Sequence, residues 1–395
     1  MKNQIGKVLT AGTMSLFLLA GCGKTAPAEG LGLTVSVPRE SVAAAQEVTT
    51  QPTASQSAGE TLLHESREER QLTEGVALFA DVYRPENGNL SAYGAQLCEI
   101  DPEAAAKLLL PQELGPYSRT SNPNGGEILT TTQGTEIQVY GGGLSLDRYW
   151  KDADGRIQMH PIQNLLTQYQ NLHPEERFRE SAYLSKEDGQ KLGRELLEGL
   201  GISMTPVLDT CLSFTYDELA AFQGQLGNGN MPRLEGTSGQ DDACLMEFSF
   251  TWQGIPLYGA GKDTAAVPDM SSNLPLPVKS KASLIVTPNG ILTFHLSGAY
   301  QVIQGEQAQK IISAEEAIVC FQKEFEGATG GLRIVKVFPE YVPVDRDGKV
   351  ALSPYWCVVF ENQLTNAETG ENWWRRDMAG KHYNAYTGMS LTQGG

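Results

Sequence analysis

Positive charge is what this chain has too little of. Its 395 residues carry 30 Lys and Arg against 47 Asp and Glu, a formal charge of −17. Nucleic-acid binders hold phosphates with Lys and Arg, so the balance argues against that class. Histidine is scarce too. His64, His160, His173, His295 and His382 are the five, and no two lie within five residues of each other. With no H-E-x-x-H, no local metal motif is present, and neither a metal nor a cofactor is expected. Asp152-Ala153-Asp154-Gly155 and Asp345-Arg346-Asp347-Gly348 resemble the start of a calcium loop. Position 12 of each is Gln163 or Trp356 where such a loop needs Glu, so both read as hairpin turns. The chain beyond its N-terminal leader also lacks G-x-S-x-G and S-x-x-K, the commonest marks of exported serine hydrolases. Long apolar runs are missing as well. The one hydrophobic segment, Val8 to Ala20, falls short of the ~20 residues that span a bilayer.

That segment has a different use. Lys2 and Lys7 precede it and the small residues Ala20 and Gly21 follow it, which is the layout of a secretion signal. Leu19-Ala20-Gly21-Cys22 resembles the lipobox of bacterial lipoproteins. The resemblance implies diacylglycerol on Cys22, cleavage before it, and a chain held on the extracytoplasmic face of the cell membrane. Cleavage removes Lys2 and Lys7 and no acid, so the charge moves from −17 to −19. Such a body is repelled by anionic head groups, which leaves the acyl chains to hold it. Residues 22–60 then read as a lipidated, disordered tether, rich in Ala, Thr, Ser, Gln and Pro and poor in large apolar residues. The remaining cysteines, Cys98, Cys211, Cys244, Cys320 and Cys357, are odd in number and form no C-x-x-C, so mostly free thiols are expected.

Three folded blocks are expected after the tether. In 61–180, an N-terminal α+β domain, Val76 to Tyr83 reads as a strand. Asp101-Pro102 opens a helix with Asp as N-cap and Pro at the first helical position. In 181–300, Ser185 and Asp188 cap a helix that stops at Gly199 and Gly201, followed by strands at 243–252, 282–287 and 291–296. In 301–395, Ser313 and Glu316 form a capping box, followed by strands at 332–339 and 355–360 and a hairpin at 383–391. Helix, then antiparallel strands, twice over, predicts an α+β fold of repeated modules, each a helix packed on a small antiparallel sheet.

The last block carries a second resemblance. Ser313-Ala314-Glu315-Glu316-Ala317, Val337–Val342, Leu352-Ser353-Pro354-Tyr355-Trp356 and Asn384-Ala385-Tyr386-Thr387-Gly388 are similar to the PepSY-type module and to the exported regulators YycH and YycI. Phe79-Ala80-Asp81-Val82 with Pro85 resembles uncharacterised lipoproteins of Gram-positive gut anaerobes. The resemblance makes 181–300 and 301–395 two PepSY-like modules and implies an extracytoplasmic binding or regulatory protein, with no catalytic residue to carry over. Its expected partner is another envelope protein. The residues themselves suggest where that partner docks. Trp373-Trp374-Arg375-Arg376 follows a polar turn. A strand sends successive side chains to opposite faces, so at least one Trp faces solvent beside Arg, as contact sites do. Two other classes stay open: a lipoprotein that captures a peptide or glycan, and a hydrolase whose site has no local signature.

Overall fold

The computed structural model describes residues 62–395 apart from 114, 123–124, 149, 152–156, 227–233, 235–240, 260–278, 328–329, 367–368, 377–379 and 392–395. The leader, Cys22, the tether and the turn at 152–155 lie outside the described residues.

Among the described residues strand outweighs helix, 49% against 20%, and most strands gather into two large curled sheets. This corrects the expected repeat of helix-on-small-sheet modules. The larger sheet runs, in order, Phe178–Arg179, Thr205–Phe214, Ala243–Trp252, Lys281–Thr287, Gly290–Ser297, Gly143–Asp147, Glu136–Tyr140, Glu127–Thr130 and Ser118–Ser121. The other takes its strands from both ends of the described chain: Leu63–Thr73, Val76–Pro85, Leu332–Arg346, Lys349–Thr365, Tyr93–Leu97 and Tyr300–Gly305. Two short strands, Asn372–Arg376 and Lys381–Asn384, also pair with Lys349–Thr365. Pairing therefore crosses the expected boundaries at 180 and 300.

Local signals act where the sequence places them. Asp101 accepts from the N–H groups of Glu103 and Ala104 and starts Pro102–Leu109, while Ser185 accepts from Asp188 N–H and starts Lys186–Gly199. Ser313 and Glu316 make both halves of a capping box for Ala314–Glu324, whose Ala317, Ile318 and Phe321 are buried on the smaller sheet. Asp347 (φ 57°) and Gly348 (φ 74°) turn Leu332–Arg346 back into Lys349–Thr365, as a primed two-residue hairpin requires.

One core cluster runs through both sheets. A second lies on the far face of the larger sheet, where Pro161–Leu172 and Tyr216–Gln225 cover Leu212, Phe214, Leu245 and Ile285. Helix Lys186–Gly199 covers the near face, and there the approach is close. A Cβ at Gly193 would stand 2.0 Å from Phe248 Cζ, so a larger residue would push the helix off the sheet. The sheets meet where Tyr258 N–H donates to the Tyr341 carbonyl at 2.8 Å and where the Tyr93 hydroxyl reaches Gln253 Oε1 at 2.5 Å.

Candidate functional site

Strand Lys349–Thr365 is the middle of the smaller sheet, and its two faces differ. Trp356 points to the helix side. The next residue, Cys357, points away, and its neighbours across the sheet are Phe338 and His382. Glu340 lies two residues on from Phe338, so it shares that face. Glu340, Cys357 and His382 are 1%, 4% and 8% exposed. A ligating atom of each lies within 4.8 Å of those of the other two. Glu340 Oε1 forms an ion pair with His382 Nε2, yet it has no partner in good hydrogen-bond geometry. The Tyr258 ring lies against the imidazole, centroids 5.2 Å apart.

The electrostatics follow from burial and proximity. Burial pushes His382 down, but Cys357 and Glu340 beside it outweigh that and hold its imidazolium well above the ordinary range. Burial, reinforced by the Glu340 charge, pushes the Cys357 thiol up, with His382 opposing. Lys279, at the border of this region, is lowered by burial and then by Lys281, against the pull of Glu340. A turn keeps room for the sulfur. Gly380 has φ +66°, and a Cβ there would stand 3.2 Å from Cys357 Sγ.

The Trp-Arg segment expected from the sequence does form a strand, Asn372–Arg376, paired on one side with Glu361–Thr365. Trp373 and Trp374 are both exposed, at 50% and 36%. The strand sits at a sheet margin, so neither of its faces meets a core. Trp374 is steadied by the Arg333 guanidinium 4.5 Å over its ring, and Arg333 in turn bonds Glu361 through Nε at 3.0 Å. Arg375 is exposed and Arg376 closes the strand.

A cavity of about 520 Å³ opens beside the larger sheet, lined by Glu113, Asp147, Arg148, His160 and Asp241 among others. Its charges are largely engaged. Arg148 pairs with buried Glu113 at 2.9 Å, Thr131 Oγ1 donates to Glu113 at 2.7 Å, and Asp147 meets His295 at 3.1 Å. His160 caps a helix by accepting from Ile162 N–H, and burial lowers its pKa. The five cysteines among the described residues are free thiols, and Cys211 and Cys244 face each other at 3.5 Å between sulfurs.

No family model matches the chain, and no curated protein matches it. Among solved structures it is similar to the crystal structure of an uncharacterized protein from Eubacterium rectale ATCC 33656. That match has a TM-score of 0.53 at 12% identity and covers 82% of this chain and 92% of that one. At that identity the likeness is one of fold alone.

Proposed function

We propose that this chain is a lipid-anchored, extracytoplasmic, non-enzymatic binding protein of the cell envelope, held at the membrane through Cys22. The observation that carries the reading is the margin strand Asn372–Arg376, which offers Trp373, Trp374 and Arg375 to solvent. Its outer edge pairs with no strand among the described residues. An extended partner segment can add to such an edge, taking affinity from main-chain hydrogen bonds and selectivity from Trp and Arg. Adjacent Arg residues on a chain of net charge −17 favour an acidic segment of another envelope protein. The closed state of Glu340, Cys357 and His382, at most 8% exposed, supports a role outside thiol catalysis.

The test has two arms. Labelling with a fatty-acid probe is expected to disappear in Cys22→Ala. A photo-crosslinker at position 373, used in intact membranes, is expected to yield an adduct on an acidic peptide of the partner. That adduct should be lost when Arg375→Glu and Arg376→Glu are combined. Equal labelling of both forms removes the anchor from the reading, and an adduct indifferent to charge reversal removes the docking edge.

A further inference from the structure

Glu340, Cys357 and His382 come from three different strands and meet at one point. Two arrangements of these residue types do chemistry. In a nucleophile relay, the thiol and the carboxylate bond opposite nitrogens of the imidazole, which sets them roughly 7 Å apart. In a metal site the three groups turn toward one centre, at about 2.0 Å for nitrogen and oxygen and about 2.3 Å for sulfur. Here a single ligating atom from each residue lies within 4.8 Å of the other two, too close for a relay and close to what one ion imposes. We propose that Glu340, Cys357 and His382 bind one divalent ion of the zinc class.

Two further observations point the same way. Glu340 is 1% exposed, and its Oε1 is aimed into the cluster, where it meets His382 Nε2 as an ion pair outside good hydrogen-bond geometry. A buried carboxylate needs a cation beside it; the His382 imidazolium supplies one when no ion is bound, and a dication takes its place over a neutral imidazole. The chain also leaves space at the sulfur, where Gly380 takes a left-handed turn that keeps side-chain atoms off Cys357 Sγ. The donor set selects the metal. Thiolate and imidazole suit zinc, while calcium and magnesium take oxygen ligands. One thiolate and one carboxylate cancel a dication, so the loaded site adds no net charge to the interior. Three protein ligands leave a fourth position for water. With the ligands so deeply buried, the ion is taken up as the fold closes.

The experiment uses the full chain, refolded with Zn²⁺ or Co²⁺. The expected result is one zinc per chain by elemental analysis after dialysis. With cobalt, a thiolate-to-metal charge-transfer band and tetrahedral ligand-field bands should appear. Cys357→Ser, His382→Gln and Glu340→Gln are each expected to weaken binding by more than about tenfold, while Cys320→Ser leaves it unchanged. Should the variants fold poorly, the wild-type protein alone decides. Zinc is then expected to protect Cys357 from alkylation in unfolding-limited peptide mapping, and to leave Cys320 as reactive as before. A cobalt spectrum without the thiolate band, or equal alkylation of Cys357 with and without zinc, overturns the proposal.

Discussion

The two faces of strand Lys349–Thr365 make opposite use of buried polar groups. On the helix side the groups that hold helix Ala314–Glu324 are answered. Trp356 Nε1 donates to the Ile312 carbonyl at 3.0 Å, and Glu324 accepts from Lys381 Nζ and from the Tyr383 hydroxyl, both at 2.7 Å. On the other side Glu340 and His382 pair with each other, while Glu340 Oε1 lacks a well-placed donor. Satisfied groups fix the position of helix Ala314–Glu324. The Glu340–His382 pair holds no helix in place and lies outside good hydrogen-bond geometry, which fits the proposed ligand set better than a part of the architecture.

The contrast breaks most visibly at single buried residues. Trp356 is 1% exposed, so Trp356→Ala is expected to cost about 3–5 kcal/mol in urea unfolding. With a chelator present, Glu340→Leu is expected to cost a similar amount, about 3–5 kcal/mol, because it strands His382 as a buried cation. The double variant Glu340→Leu with His382→Leu should recover most of that loss. A double variant as unstable as the single one would make the pair part of the architecture after all.

A smaller effect tests the satisfied face by pH. Burial raises the Glu324 carboxyl, but the bonds from Lys381 and Tyr383 outweigh it and hold the group below the usual range. A carboxyl whose folded pKa lies below its unfolded value stabilises the fold above the ordinary carboxylate pKa and loses that contribution as pH falls through the folded value. Glu324→Gln is therefore expected to lower stability at neutral pH and to converge with wild type in acid. Parallel curves for the two proteins down to low pH would show that the charge of Glu324 does no work there. The smallest effects belong at the sheet margin. Trp373→Ala and Trp374→Ala are each expected to cost less than about 1 kcal/mol in thermal unfolding. Trp374 should cost more than Trp373, because Arg333 rests on its ring. A large loss at either would turn the proposed docking strand into packing.

Much of the local structure was legible because short-range chemistry writes it. Ser313 with Glu316, Ser185 with Asp188, and Asp101 before Pro102 each sit within one helical turn of the group they cap. Signals of the same kind also stood unread, such as the Thr215–Glu218 capping box and His160 before Pro161. The sheets were harder for a physical reason. Leu332–Arg346 and Lys349–Thr365 are buried on both faces over much of their length. The alternation that marks a half-exposed strand is therefore missing, and both were read too short. Non-local pairing hid the rest. Residues 340, 357 and 382 come together only because three strands fall into one register, and no spacing rule within a single segment reports that. The Trp-Arg strand could be found since its signal is composition within four adjacent residues, but its place at a margin could not.

The parallel pairing of Val76–Leu78 with Leu332–Ile334 has a consequence in time. Synthesis delivers the first of these segments some 250 residues ahead of the second. The larger sheet, whose strands run from Ser118 to Ser297, can close while Val76–Pro85 still waits for its inner neighbour. Pairings of such long sequence separation form slowly, and a waiting strand edge is open to aggregation and to proteases. The N-terminal hairpin, Leu63–Thr73 with Val76–Pro85, is thus the first of the described strand pairs to be made, yet it gains its inner neighbour only once Leu332–Arg346 has followed.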